Sequence, residues 1–173
     1  MLNKIILLNC ANYDKAVIEL DADSIQIVGR NNGGKTTLIS ALNFLYVPNQ
    51  KEWNFAHSPK ETLRFYFKQL DKSYLLFEIY KNSYFCILLR KDERGLAYYK
   101  IDLAYSEAEF AFFGETNGKT TLLDFESVQS SLLTKIEKLS DKDYRALLFG
   151  ETTKDKSVLW LEKNIKQSTF SRI

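Results

Sequence analysis

Apart from a helical stretch at residues 38–45, apolar residues alternate with polar ones, or cluster in short β-branched and aromatic blocks, as far as Leu123, and from Phe125 onward they recur at helical spacing. The first two blocks, residues 5–8 and 16–20, predict strands joined by a turn-rich segment from Asn9 to Asp14. A third β-branched run, Ser24-Ile25-Gln26-Ile27-Val28, predicts another strand. Leu38, Ala41, Leu42 and Leu45 then fall at helical spacing, and the pattern stops before Pro48. Residues 47–59, which hold both prolines together with Asn49, Trp53 and Asn54, predict an irregular connection with packed aromatics. Beyond Thr62, residues 63–67, 74–80, 84–90 and 96–103 are rich in aromatic and branched side chains. The breaks between them are short, Asp71-Lys72, Lys81-Asn82 and Asp92-Glu93-Arg94-Gly95, and predict an antiparallel meander.

The final third predicts helices. Phe125, Val128, Leu132, Ile136 and Leu139 share one face of a helix that Asp124 would cap. Ser140 and Asp143 have capping-box spacing for a second helix, 141–149, ended by Gly150. A further amphipathic stretch runs from Ser157 towards Ile165, and no internal repeat or low-complexity linker interrupts the chain.

Between the third strand and the first helix lies Gly29-Arg30-Asn31-Asn32-Gly33-Gly34-Lys35-Thr36, a full GxxxxGK[ST] phosphate-binding motif. Strand, glycine loop and helix in that order is the context such a loop requires. Gly29, Gly33 and Gly34 allow backbone angles closed to other residues, so successive N–H groups can turn towards a polyphosphate. The helix adds its N-terminal N–H groups and the positive end of its dipole. Lys35 would reach the β- and γ-phosphates of ATP, Thr36 would give its hydroxyl to Mg2+, and Thr37 would help hold the α-phosphate.

The chain has 173 residues, 45% of them hydrophobic, which suffices for one good core; a single domain over residues 1–173 is the expectation. A net charge of +2, from 24 basic and 22 acidic residues spread throughout, supplies no strong electrostatic footprint for nucleic acid, which neither shows nor excludes DNA binding. Cys10 and Cys86 lack metal-ligand spacing, and with the lone His57 they predict no zinc site but buried thiols in a reducing cytoplasm. The apolar run at residues 5–8 is too short for a signal peptide or a membrane span, so a cytoplasmic protein without membrane contact is expected.

Several other segments imitate functional motifs. Gly114-Glu115-Thr116-Asn117-Gly118-Lys119-Thr120-Thr121 resembles a second phosphate loop, but three residues separate its glycines where four are needed, and Asn117-Gly118 predicts a hairpin turn. Asp92-Glu93-Arg94-Gly95 fits the DxxG of GTPases, yet no NKxD follows and a β-turn accounts for it. Glu78 and Glu162 end the nearest approximations to an acidic Walker B strand, and each reads as a solvent-facing glutamate. Trp53, Phe55, Phe65, Tyr66 and Phe67 read as core rather than a base-stacking surface. No catalytic residue is assigned.

The two opening strands followed by IQIVGRNNGGKTTLISALNFLYV resemble the N-terminal lobe of ABC-type ATPase heads of the SMC, RecF and OLD group. Asn31 and the helix from Leu38 to Phe44 occupy the matching places; Asn32 and Gly33 depart from the usual SMC loop, and the double asparagine Asn31-Asn32 is nearer to the OLD style. The resemblance implies an α/β P-loop NTPase fold with an antiparallel β meander and C-terminal helices. Residues 1–60 would hold the strand pair, loop and first helix, 61–123 the β region, and 124–173 a helical region leading towards a coiled coil. It implies binding of ATP and Mg2+ by Gly29, Arg30, Asn31, Asn32, Gly33, Gly34, Lys35, Thr36 and Thr37, with Thr36 on the metal. A C-terminal lobe would supply Walker B, signature and switch residues, a second head would close over the nucleotide, and a glutamine such as Gln129 or Gln167 would contact Mg2+. The larger role so implied is ATP-gated DNA binding in chromosome maintenance, repair or defence. An OLD-like nuclease module and a self-contained small P-loop kinase or GTPase are the alternatives.

Overall fold

The computed structural model describes residues 1–20, 27–28, 34–116, 118–132 and 134–150. Contacts divide the chain into two compact units, each built from separate stretches: Met1–Gln26 with Leu63–Lys138, and Ile27–Thr62 with Leu139–Ile173.

The first unit is a six-stranded sheet in the order β2 (Tyr13–Glu19), β1 (Leu2–Cys10), β3 (Tyr74–Lys81), β4 (Ser83–Asp92), β5 (Gly95–Ile101), β8 (Ile136–Leu139), with a two-stranded hairpin of β6 (Phe113–Thr116) and β7 (Lys119–Leu122). Strands β1 (Leu2–Cys10) and β2 (Tyr13–Glu19) form the expected opening hairpin, and β3 (Tyr74–Lys81), β4 (Ser83–Asp92) and β5 (Gly95–Ile101) the expected meander. The pairings β1–β2, β1–β3, β3–β4 and β4–β5 are antiparallel. Register lines up Ile6 with Leu76, Leu76 with Leu88 and Leu88 with Tyr99, which makes one continuous apolar row across four strands. This row is part of a core completed by Tyr105, Phe110, Phe112, Phe125, Val128 and Ile136. Leu75, Phe77, Ile87 and Leu89, on the alternate face, are equally buried, and that is why β3 and β4 read as unbroken apolar runs.

The hairpin predicted at Asn117-Gly118 is present: β6 (Phe113–Thr116) pairs with β7 (Lys119–Leu122), and Gly118 turns at φ +71°. The Asp92–Gly95 segment is likewise a turn, joining β4 to β5 with Asp92 Oδ1 accepting from Arg94 N at 2.9 Å. Partial burial opposes ionisation of Asp92, but hydrogen bonds from Lys138 and from the Arg94 and Gly95 N–H groups outweigh it and hold the carboxyl below its ordinary value. A depressed pKa means that this tether is present at neutral pH and is lost as the solution is acidified through the folded-state value.

Two predicted elements are corrected. Residues 63–67 are not a strand; Leu63 to Tyr66 close helix α2 (Pro59–Tyr66), and Phe67 makes only an isolated antiparallel bridge with Cys10. Ser58 and Glu61 cap its start reciprocally, Ser58 N donating to Glu61 Oε2 at 3.1 Å and Glu61 N to Ser58 Oγ at 3.4 Å, with Pro59 at the first helical position. Thr62, Leu63, Tyr66 and Phe67 are buried while Arg64 and Phe65 are not, the spacing of a helix face. The helix predicted from Phe125 to Leu139 is also shorter than expected. Asp124 caps α3 (Phe125–Ser131), accepting from Ser127 N at 2.8 Å, but the helix stops there and Ile136–Leu139 forms β8 at the sheet edge. Ser130 and Ser131 turn their hydroxyls onto the Glu126 and Val128 carbonyls and so compete with continued helix, while Ile136 is buried in the sheet core.

The second unit contains α1 (Lys35–Tyr46), a 3-10 turn (Gln50–Glu52), the start of α2, and α4 (Asp141–Phe149). The Ser140 cap is as predicted, accepting from Asp143 N at 3.2 Å, and Gly150 ends α4 at φ +87°. Ser140→Ala should therefore cost about 1 kcal/mol, read as a lower urea midpoint at constant m-value. The amphipathic stretch expected from Ser157 lies outside the described residues.

Candidate functional site

Gly34, Lys35, Thr36 and Thr37 meet at the start of α1, where Gly34 is the N-cap at φ +84° and ψ 0°. A β-carbon there would be strained, so the glycine before the lysine is required by the backbone itself. Gly34 O accepts from Leu38 N at 2.9 Å, the first bond of the helix. Leu38, Ala41 and Leu45 are buried, as the helical spacing predicted, whereas Leu42 is only partly so and Asn43 and Phe44 are buried beside them.

This N-terminus differs from those of the other helices. Its N-cap residue is a glycine, which has no side chain to cap with, and its first turn holds no acidic residue, whereas α2 begins with Glu61, α3 with Asp124 and Glu126, and α4 with Asp141 and Asp143. The chain leaves the positive end of the α1 dipole uncompensated by any carboxylate of its own first turn. A polyphosphate bound there would supply that missing negative charge. Thr36 is exposed at this turn, which suits a hydroxyl that ligates a metal from solution. Gly29, Arg30, Asn31, Asn32 and Gly33 lie outside the described residues, as do residues 24–26 of the predicted preceding strand; Ile27 and Val28 are described and belong to no strand.

The opposite end of α1 is closed by aromatic donors. Trp53 Nε1 donates to Val47 O at 2.6 Å and the Tyr144 hydroxyl to Leu45 O at 2.5 Å. Trp53 and Phe55 pack on Phe44 with ring centroids 4.9 and 5.2 Å away but stay half-buried, so the expected core placement holds in full for Tyr66 and Phe67 and only in part for these two. Phe65, by contrast, is partly exposed, edge-on to Tyr66.

Glu78 is not the solvent-facing glutamate expected. It lies on β3 at 1% exposure, accepting from Asn3 Nδ2 and from Tyr105 N at 2.6 Å, with Lys4 Nζ 3.6 Å away. Its oxygens are committed to holding the sheet unit together, which argues against a catalytic carboxylate. Glu162 and Gln167 lie outside the described residues, Gln129 is exposed on α3, and His57 is exposed before α2. Cys10 and Cys86 are buried free thiols whose pKa values burial raises, and among the described residues no group of three or more His, Cys, Asp or Glu is placed to hold a metal. No described helix is long and apolar enough to cross a membrane.

A family model for the P-loop containing region of AAA domains matches residues 2–61. No curated protein matches the chain. The match begins at β1 and takes in the glycine loop, α1 and the start of α2. The chain therefore carries a P-loop NTPase region over residues 2–61.

Proposed function

We propose that this chain binds ATP·Mg2+ and is the N-terminal half of an SMC-like ATPase head, completed by a C-terminal lobe and acting in ATP-gated DNA binding. The observation that carries the nucleotide part is the start of α1: a left-handed glycine, no capping side chain, no first-turn acid, and Lys35-Thr36 in the spacing of a phosphate loop. Lys35 would neutralise the β- and γ-phosphates, Thr36 would orient Mg2+, and Gly29–Gly34 together with Thr37 would enclose the phosphates through their N–H groups. Mg2+, when bound, would offset charge on the bridging oxygens.

The antiparallel sheet supports a head of this group over the rival readings. A self-contained kinase or GTPase builds a parallel sheet from alternating strands and helices, and here the four pairings among β1–β5 are antiparallel. With Glu78 engaged in the sheet, the carboxylates for water activation would come from the C-terminal lobe, and a second head would close the site. The double asparagine, Asn31-Asn32, is the feature favouring an OLD-like module within the same group. DNA as the partner rests on analogy with the group.

The test is reconstitution. Adding the C-terminal lobe should raise ATP turnover from background and make retention of duplex DNA depend on ATP. Retention that is equal with ATP, with ADP and without nucleotide would remove DNA gating from the reading.

A further inference from the structure

Tyr144 is fully buried in α4, and its hydroxyl reaches Leu45 O across 99 residues of sequence. Leu45 belongs to the last turn of α1, where a helix cannot satisfy its own carbonyls. The second donor at this end, Trp53, lies six residues after its acceptor Val47 and sits in the ring cluster with Phe44 and Phe55, so it is local to the helix. Tyr144 is different in kind: it ties the phosphate-loop helix to a distant element of the same unit. Both partners are stiff. The twelve residues of α1 make a rod of about 18 Å, and α4 is capped by Ser140 and closed by Gly150. A displacement at the Gly34 end of a packed rod is carried to its other end rather than absorbed along the way.

We propose that Tyr144 is a positioning residue for the phosphate loop, and that its bond to Leu45 couples nucleotide occupancy at Gly34–Thr36 to the stability of α4. This rests on the nucleotide-binding reading above. Linkage makes the coupling reciprocal: if MgATP steadies α4 through this bond, the bond strengthens MgATP binding by the same factor.

Amide exchange on the full chain, with and without MgATP, reads both ends of α1 and all of α4. The expected result is slowing of the α4 amides by about fivefold or more, the lower range of allosteric couplings, alongside slowing in the first turn of α1. Tyr144→Phe keeps the ring and removes the donor; it should cut the α4 response below about twofold and weaken MgATP affinity by the factor lost. Trp53→Phe removes the other donor at the same helix end and should leave the α4 response in place. Slowing in α1 with none in α4 of the unmodified chain overturns the coupling while nucleotide binding stands, and needs no variant to fold. A response erased equally by Trp53→Phe also overturns it, since general loosening of α1 would then suffice. No MgATP binding at all overturns the nucleotide reading itself.

Discussion

Lys35→Ala should weaken ATP binding at least tens-fold while leaving the fold intact. The ammonium is the one side-chain charge in the first turn of α1, and in the proposed reading it is the charge that would meet the triphosphate. Losing one partner of a desolvated charge pair costs about 2–5 kcal/mol, and at about 1.4 kcal/mol per decade this lowers affinity tens- to thousands-fold. Folding should change little, because Lys35 is only half-buried and alanine is the better helix former. Titration with a fluorescent ATP analogue, beside thermal unfolding of the same sample, separates the two effects. Unchanged affinity in a folded variant would mean that the motif does not hold phosphate.

The largest loss of stability should come from Glu78→Ala. That substitution strands the buried Tyr105 N–H and takes the carboxylate away from Lys4 and Asn3 in one step. Removing one member of a buried charged network costs about 3–5 kcal/mol, a large share of the stability of a domain this size. Glu78→Gln keeps an acceptor and much of the shape, and should cost about 1–3 kcal/mol. Urea unfolding decides both values. Glu78→Gln should still bind MgATP, because the carboxylate serves the sheet; a folded Glu78→Gln chain that cannot bind nucleotide would return Glu78 to the phosphate site.

What was legible in the sequence follows how local each determinant is. The sheet strands announce themselves through runs such as Leu75-Leu76-Phe77, whose neighbours in space are also their own kind. The α4 cap and the glycine that ends the helix are written within ten residues. Residues 63–67 mislead because their aromatic content suits a strand equally well; the deciding signal is upstream, in the Ser58-Pro59 and Glu61 cap. Ile136 and Leu139 continue the helical spacing of Phe125, Val128 and Leu132, yet the edge of the sheet takes them as β8. No local pattern marks Glu78 as buried, since its partners Asn3 and Tyr105 are 75 and 27 residues away. The same holds for Tyr144 and Leu45. At the phosphate loop the motif fixed the residue types and spacing, and the structure adds the left-handed Gly34 and the helix start without its own acid.

The central claim is that this chain holds ATP but does not by itself complete the chemistry. One sample incubated with radiolabelled MgATP, assayed at once for nucleotide bound and phosphate released, tests it. Saturable binding, weakened in Lys35→Ala, with phosphate release no faster than in buffer, is the predicted result. Sustained release or transfer of phosphate by the chain alone, or no binding to the unmodified chain, would contradict it.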